Sequence, residues 1–445
     1  MQASKPVSPG GYSPTYAWFV VAILMMAYVF SFVDRQILNL MVGPIRSDLG
    51  ISDTQMSLLM GFSFAIFYTI MGIPLGRMAD SKSRRGLITV GIIVWSVMTA
   101  LCGFAKHYWH LFLCRIGVGV GEAALSPAAY SMIADYFPPE KRATAISVYS
   151  MGIYIGSGIA FLLGGLIVEF VTAQGAVTLP VLGETRPWQV VFYVLGFSGL
   201  LFSAAFLLVR EPARSGGGPN SSVPIKEVLA YLKLNRRTVL SHNIGFAMIA
   251  FCSYGTAAWI PSYFVRVHGW SIGQVGLVFG LIVMIFGSAG IVFGGRLSDR
   301  WTAQGRTDAP MRVGVLAAIA VIPFGAGYML SPNGTLAGLF LIPATFFISM
   351  PFGVAPTAIQ DIMPNRLRGQ ASALYLFLVN MIGLGIGPTA VAVVTDFLFG
   401  DDNMVGWSMF IVSGVAGAVA ITLLTTGLKP YRESLARLKA ATAST

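Results

Sequence analysis

Long apolar segments separated by short polar loops run through almost the whole chain. An α-helix needs about 20 apolar residues to cross the hydrocarbon core of a bilayer, and twelve segments of this chain approach or exceed that length. They lie at 16–41, 56–77, 87–105, 109–133, 145–170, 188–209, 240–264, 274–296, 312–330, 336–358, 371–398 and 405–427. The pattern predicts an all-α integral membrane protein with twelve transmembrane helices.

Composition agrees with this pattern. Hydrophobic residues make up 55% of the chain and charged residues only 11%, whereas soluble domains carry about 25% charged residues. The 51 glycines fit helices that approach one another closely in a membrane. The cysteines Cys102, Cys114 and Cys252 all fall in apolar segments, so we expect packing roles for them and no disulfide framework.

The formal net charge of +11 follows the predicted topology. With both termini placed in the cytoplasm, most Lys and Arg residues fall in cytoplasmic loops, as the positive-inside rule requires. The basic clusters lie at 82–85, 141–142, 236–237, 366–368 and in the C-terminal tail. The charge therefore predicts a multi-pass membrane protein with both termini in the cytoplasm and some attraction to anionic lipid head groups, and argues against nucleic-acid binding.

The chain is predicted to consist of two similar halves. Residues 1–210 form an N-terminal six-helix bundle and 240–428 a C-terminal one. Between them, 211–239 is a cytoplasmic linker, flexible at Ser215–Ser222 by composition, with an amphipathic surface helix over 224–238. Residues 429–445 form a cytoplasmic tail.

Two repeated motifs support a duplication. Gly76-Arg77-Met78-Ala79-Asp80 closes the second span, and Gly295-Arg296-Leu297-Ser298-Asp299 closes the eighth. Asp135-x-x-Pro138-x-x-x-Arg142 follows the fourth span, and Asp361-x-x-Pro364-x-x-x-Arg368 follows the tenth with the same spacing. Parallel six-helix repeats are typical of one large class of secondary transporters, whose substrate site lies between the halves.

Four ionisable residues interrupt the first and fourth spans: Asp34, Arg35, Arg115 and Glu122. At a helical rise of about 1.5 Å per residue, Asp34 and Arg115 lie at similar depths in the outer third of the membrane, and Glu122 lies near the midplane. Charges at such depths cost on the order of 3 kcal/mol each on insertion scales and mark ion or substrate routes. The four charges also sum to zero.

These residue types suggest different roles for the two acids and the two arginines. Burial disfavours the charged form of a carboxylate and a nearby guanidinium favours it, so Asp34 and Glu122 are the candidate proton carriers. Arginine stays protonated and its planar fork suits phosphate or carboxylate, so Arg35 and Arg115 are the candidate partners of a substrate head group. The alternative is a static ion-pair network that only lets four charges reside in the bilayer.

The segment Gly76-Arg77-Met78-Ala79-Asp80-Ser81-Lys82-Ser83-Arg84-Arg85 resembles the signature loop of the major facilitator superfamily, departing from it at Met78 and Ser83. Val33-Asp34-Arg35, the run Arg115-x-Gly117-x-Gly119-x-Gly121-Glu122 and Asp135-Tyr136-Phe137-Pro138 resemble the spinster family of lipid transporters, specifically a bacterial member. The resemblance implies the major facilitator fold, a sphingolipid or lysophospholipid substrate, and proton-coupled alternating access.

The resemblance further implies a bacterial inner membrane, and the residues themselves suggest two more roles. A set of charged residues at the cytoplasmic ends of the spans is expected to form a gate or conformational switch: Arg77, Asp80, Arg84, Arg85, Asp135, Arg142, Asp299 and Arg300. Asp135 is expected to act with Arg142, and Asp299 with Arg300. Aromatic and polar residues of the C-terminal half are expected to line the cavity: Tyr254, Trp259, Phe347, Met350, Tyr375 and Asn380. Ordinary helix packing is the alternative for each of them.

Two other functions stay open. The chain could transport small organic anions or sugar phosphates on the same fold, or sense lipids without transporting them. An enzyme is not expected, because no nucleophile–base pair or metal-ligand spacing stands out, and no Walker A loop is present. We therefore expect no cofactor and no metal, a proton gradient as driving force, and a functional monomer. Uniport, symport and antiport are equally compatible with the sequence.

Overall fold

The computed structural model describes residues 12–175, 177–179, 183–214, 225–364 and 367–443, and this part of the chain is almost entirely helical. The predicted flexible linker Ser215–Ser222 lies outside the described residues. The helices of the N-terminal half are α1 Pro14–Leu40, α2 Val42–Leu49, α3 Asp53–Ser57, a π-helical turn Leu58–Phe62, α4 Ser63–Ser81, α5 Arg84–Cys102, α6 Tyr108–Glu122, α7 Leu125–Tyr136, α8 Pro139–Gln174, α9 Pro187–Ser203 and the 3₁₀ turn Ala204–Leu208.

The second half begins with a short helix that precedes the seventh span. Its elements are α10 Ile225–Leu234, α11 Arg236–His268, α12 Ile272–Ile282, the π-helical Val283–Gly287, α13 Ser288–Ala303, α14 Ala309–Met329, α15 Gly334–Ser349, α16 Pro351–Asp361, α17 Arg368–Leu378, the π-helical Val379–Ile386, α18 Gly387–Val393, the π-helical Val394–Phe399, the 3₁₀ turn Asp402–Met404 and α19 Val405–Ala443. Two short antiparallel strands, β1 Val177–Leu179 and β2 Gly183–Thr185, follow α8. The sequence patterns did not predict this hairpin.

Twelve helical segments among the described residues are long and apolar enough to cross a membrane. They are Pro14–Leu40, Asp53–Ala79, Arg84–Cys102, Tyr108–Tyr136, Thr144–Gln174, Pro187–Leu208, Arg236–His268, Ile272–Ala303, Ala309–Met329, Gly334–Asp361, Arg368–Phe399 and Asp402–Ala441. Each corresponds to one apolar segment of the sequence, so the predicted all-α architecture with six spans in each half is confirmed. We number them spans 1 to 12.

The chain divides into two compact units: Met1–Asn220 with Ser271–Gly280, and Ser221–Trp270 with Leu281–Thr445. In the first unit α1 packs along α8, and α5 packs against α6 and α9. In the second unit α11 packs along α19, and α14 packs against α15 and α19. The surface helix predicted over 224–238 corresponds to α10 and the first turn of α11.

Local sequence explains an interruption in span 4. Pro127 is the third residue of α7 and has no N–H with which to bond the carbonyl of Ala123, four residues earlier. α6 therefore ends at Glu122, and α7 begins at Leu125. The consequence is that Glu122 occupies the last position of a helix inside the membrane.

Small residues on α6 allow it to lie very close to its neighbours. A Cβ added at Gly119 would come within 2.7 Å of the backbone oxygen of Phe64, on α4. For a Cβ added at Gly117, the three nearest atoms all belong to the side chain of Met98, on α5. Close helix approach explains this glycine-rich run.

This difference predicts unequal effects of adding one methyl group. Gly119→Ala forces the α4 backbone to move, and overpacking of this kind costs typically about 1–3 kcal/mol. Gly117→Ala needs only a rotamer change of the flexible Met98 side chain. We expect a clearly lower melting temperature for purified Gly119→Ala and a small change for Gly117→Ala. Equal melting temperatures for both variants would contradict the packing explanation.

Candidate functional site

The structure brings the four intramembrane charges together within the first unit. Asp34 and Arg35 lie on α1, and Arg115 and Glu122 lie seven residues apart on α6. The side chains of Arg115 and Glu122 are 1% and 0% exposed, and that of Asp34 is 6% exposed. Arg35 keeps 15% of its side chain exposed and is the most accessible of the four.

The first ion pair joins Arg35 to Glu122. The Arg35 Nε atom lies 2.6 Å from Glu122 Oε2 and donates a hydrogen bond to it. The hydroxyl of Ser31, one turn before Arg35 on α1, donates to the same oxygen at 2.6 Å. Glu122 is thus held from α1 by one charged donor and one neutral donor.

The second ion pair joins Arg115 to Asp34 more loosely. Arg115 Nη1 lies 3.6 Å from Asp34 Oδ1 and donates to the backbone oxygen of Asp34 at 3.4 Å. The other carboxylate oxygen, Oδ2, accepts a short hydrogen bond from the hydroxyl of Thr99 on α5. Asp34 is therefore fixed by α5 and α6 together.

Three aromatic rings surround the guanidinium of Arg35. Its Cζ atom lies 4.8 Å from the ring centroid of Phe32, 4.6 Å from that of Phe64 and 4.6 Å from that of Tyr68. Arg115 lies at a longer distance, 5.7 Å, from the Phe64 ring. Ring faces attract a cation, more strongly where water is excluded, so these rings help to hold Arg35 in the apolar interior.

Several buried polar atoms of this cluster have no hydrogen-bond partner. Among the described residues, Arg115 Nε and Nη2, Asp34 Oδ1 and Glu122 Oε1 are buried without a hydrogen-bond partner. An unsatisfied buried polar group costs about 1–3 kcal/mol. The two carboxylate oxygens can accept protons or donors of a ligand, and the Arg115 N–H groups can donate to its acceptors, whereas a purely structural ion-pair network is expected to be fully satisfied.

The geometry predicts that the contributions of Arg35 and Glu122 to stability are strongly coupled. Removing either partner leaves the other charge buried, whereas removing both leaves a neutral site. In a cycle of Arg35→Met, Glu122→Gln and the double variant, we expect the double variant to lose less stability than the sum of the single losses. Contacting residues typically show interaction energies of about 0.5–3 kcal/mol. Thermal unfolding of the purified variants measures this difference, and strictly additive losses would contradict the pairing.

A second charged cluster surrounds Arg84, the first residue of α5. Its side chain is 1% exposed. Nη1 donates to Ser131 Oγ at 3.1 Å and forms a short ion pair with Asp135. Nη2 donates to the backbone oxygen of Pro212 at 2.8 Å, and Nε donates to Glu211 at 2.8 Å. Arg84 therefore links the start of span 3 to the end of span 4 and to the segment after span 6.

Glu211 is the component of this cluster that sequence reasoning missed. Its carboxylate accepts hydrogen bonds from the backbone N–H groups of Arg84 and Arg85 at 3.2 and 2.8 Å, and from Ser83 Oγ at 3.0 Å. It thus occupies the N-terminus of α5, where a negative charge is favoured. Burial acts to raise the pKa of Glu211, but the hydrogen bonds from Arg84, Arg85 and Ser83 outweigh it and lower the pKa below the usual 4.5.

The other predicted gate residues are distributed differently. Arg142 Nη2 donates to the backbone oxygen of Ala134 at 2.8 Å. Arg77, Asp299 and Arg300 are exposed. The side chain of Asp80 lies outside the described residues. A switching role for these residues stays a prediction.

The second unit has a charged cluster of its own at the start of span 9. Asp308 is buried and lies 2.7 Å from Arg312 and 2.5 Å from Arg432 on α19. Burial acts to raise the pKa of Asp308, but the two arginines outweigh it and lower the pKa. In the first unit a buried arginine is held by acids, and here a buried acid is held by arginines.

The lowered pKa of Glu211 predicts a pH-dependent contribution to stability. A carboxylate whose pKa is lowered by folding stabilises the native state above its unfolded-state pKa, near 4.5, and the contribution is lost as pH falls through the folded-state pKa. Glu211→Gln is expected to lower the melting temperature at pH 7, and this difference is expected to shrink below about pH 4.5. The exposed Glu433→Gln serves as control. A difference from wild type that is the same at pH 7 and pH 3.5 would argue against this assignment.

The predicted cavity residues all lie in the second unit. Trp259 is buried and donates to the backbone oxygen of Pro388 at 2.9 Å. Met350 and Tyr375 belong to separate hydrophobic clusters, and Phe347 stacks on Phe324 with ring centroids 5.7 Å apart. Tyr254 and Asn380 are half-buried, the latter in the π-helical segment of span 11. Their contact with a substrate stays a prediction.

Several contributors to the first site escaped sequence reasoning. Ser31, Thr99, Phe64 and Tyr68 are ordinary residues of apolar helices, and only their contacts with the four charges give them a role. For Ser31 a signal existed, because it precedes Arg35 by four residues and therefore shares its helical face. For Glu211 the position immediately after span 6 was the available signal.

The comparisons with known proteins agree with the twelve-span fold. The family model described as Major Facilitator Superfamily matches residues 24–388. The chain belongs to the major facilitator superfamily and is a multi-pass membrane protein with that transporter fold.

Within the superfamily the chain resembles spinster proteins. A bacterial homologue of the human lysosomal transporter Spinster, solved in an inward-facing and unoccupied conformation, is 26% identical with a TM-score of 0.78, covering 95% of this chain and 98% of that chain. Human protein spinster homolog 1 is 26% identical over 87% of this chain and 75% of its own length.

Other transporters are equally similar in sequence. An MFS-type efflux pump of Mycolicibacterium smegmatis is 27% identical over 88% of this chain and 87% of its own length. The hexuronate transporter of Bacillus subtilis is 27% identical over 85% of this chain and 87% of its own length.

Proposed function

We propose that this protein is a proton-coupled transporter of amphipathic lipids with an anionic head group, of the sphingolipid or lysophospholipid type, working by alternating access. The observation that carries the proposal is the buried pair of Arg35 and Glu122, 2.6 Å apart. One of its members can take up a proton and the other can bind an anion. The bacterial inner membrane, with both termini in the cytoplasm, is the proposed location.

Charge balance couples proton binding at Glu122 to anion binding at Arg35. Asp34, Glu122, Arg35 and Arg115 sum to zero when all four are ionised. Adding a proton to Glu122 leaves one positive charge in excess and weakens the hold of Glu122 on Arg35. An anionic head group that binds Arg35 restores neutrality, and a buried charge is tolerated only when it is paired. Proton and anion therefore favour each other's binding.

The surroundings of Arg35 favour an amphipathic substrate. Phe32, Phe64 and Tyr68 place aromatic surface within 4.6–4.8 Å of the guanidinium. A head group with an acyl chain can use the guanidinium and the adjacent apolar surface at the same time. The motifs that resemble the spinster family, Val33-Asp34-Arg35 among them, imply the same substrate class.

Replacing the proton carrier tests the coupling. Glu122→Gln is neutral like protonated glutamate and keeps its size, so we expect it to bind an anionic lysophospholipid with an affinity that no longer depends on pH. For wild type, one coupled proton changes the apparent Kd by up to about tenfold per pH unit where Glu122 titrates. Binding of lysophosphatidylglycerol to the solubilised protein at pH 5 to 8 measures this effect.

Two matched variants sharpen that experiment. Asp34→Asn separates the two candidate proton carriers, because only the principal carrier removes the pH dependence when neutralised. Glu169→Gln changes an exposed carboxylate of span 5 and should behave like wild type. A normal pH response in both Glu122→Gln and Asp34→Asn would refute the coupling role of this cluster.

Transport of small organic anions is the second candidate function. The hexuronate transporter of Bacillus subtilis matches this chain over a similar length and identity, and an arginine fork binds a sugar carboxylate as well as a phosphate. Proteoliposomes separate the two functions. Uptake of glucuronate without movement of a fluorescent lysophospholipid would overturn the lipid proposal, and the reverse result would exclude the alternative.

A further inference from the structure

One face of α10 packs against the rest of the second unit. Val228 is buried, and the hydroxyl of Tyr231 donates to the backbone oxygen of Ile362 at 2.8 Å. Asn235, immediately after the helix, is buried and accepts a hydrogen bond from Arg437 Nη2 at 3.0 Å. The opposite face of α10 is therefore presented in a defined orientation.

That opposite face combines basic and apolar side chains. Lys226 and Lys233 are seven residues apart, hence one above the other on the helix, and both are exposed. Leu229 and Leu234 flank them and are 60% and 66% exposed. We define Lys226, Leu229, Ala230, Lys233 and Leu234 as the α10 outer face. Exposed leucines beside lysines are typical of helices that lie in a membrane interface.

The connection to span 7 keeps this face near the membrane. Only Asn235 separates the end of α10 from the start of α11, which crosses the membrane. Arg236 and Arg237 at that start are exposed, and Leu240, one turn further, is 55% exposed. Basic side chains thus continue directly into the apolar surface of a membrane span.

From this arrangement we propose that the α10 outer face binds the anionic head groups of membrane lipids. The ammonium groups of Lys226 and Lys233 contact lipid phosphates, and Leu229 and Leu234 enter the boundary between head groups and acyl chains. The direct connection of α10 to the membrane-spanning α11 favours the lipid surface over a soluble acidic protein. The residues of the α10 outer face belong to the second unit, whereas the Arg35–Glu122 pair belongs to the first.

The test uses the full-length protein in a neutral detergent, with Cys102, Cys114 and Cys252 replaced by alanine and a polarity-sensitive fluorophore on Ala230→Cys. The probe lipids are dioleoylphosphatidylglycerol and dioleoylphosphatidylcholine. Because a basic residue near an anionic surface contributes roughly fivefold in affinity, half-saturation should occur at an at least about fivefold lower mole fraction for phosphatidylglycerol. Raising the salt concentration should reduce this preference.

Charge variants identify the residues responsible. The double variant Lys226→Gln with Lys233→Gln should lose the preference for phosphatidylglycerol, and the corresponding Lys→Arg pair should keep it. Lys106→Gln with Lys439→Gln removes the same charge from exposed positions outside α10 and should behave like wild type. Size-exclusion profiles verify that each variant is folded.

Three results would overturn the proposal. One is an equal response to both lipids, and another is a preference that survives the Lys226→Gln and Lys233→Gln double variant. The third is a fluorescence shift produced by polyglutamate without lipid, with the same dependence on the two lysines, which would identify an acidic protein as the occupant.

Discussion

Neutralisation of buried charge is the constraint on which the rest of the first unit depends. Each charge in span 1 or span 4 would be expensive alone, and the structure compensates each by a partner on another helix. Compensation requires α1, α5 and α6 to lie close together, and Gly121 permits the approach of α6 to α5, since a Cβ there would lie 2.6 Å from the backbone nitrogen of Trp95. Helix packing and charge pairing in this unit are therefore two aspects of one requirement.

The same constraint is met twice at the ends of spans. In the first unit Arg84 is buried among Asp135, Glu211 and backbone oxygens. In the second unit Asp308 is buried between Arg312 and Arg432. Both buried residues lie at the start of the third span of their half, which fits the internal duplication, yet their charges are opposite. An ionic cluster thus lies at the same position in both halves, but the buried residue is positive in the first and negative in the second.

The sequence was sufficient for the parts of the structure that depend on local properties. Hydropathy predicted all twelve spans, and the spacing of Arg115 and Glu122 placed both on one face of α6. The choice of partner could not be predicted, because Arg35 and Glu122 are separated by 87 residues and either acid is compatible with either arginine by charge. Glu211 was missed for the same reason, since its partners at Arg84 and Arg85 come from a distant segment and partly from the backbone.

Glu122 combines two properties that are usually found at separate residues. It is the last residue of α6, where Pro127 interrupts the hydrogen bonding of span 4, and it holds Arg35 on α1. A helix bends most easily at such an interruption. The carboxylate of Glu122 therefore lies at the point where α6 and α7 can bend relative to each other. By the reciprocity of linked equilibria, any ligand that bends span 4 and alters this pair must also change the affinity of Glu122 for a proton.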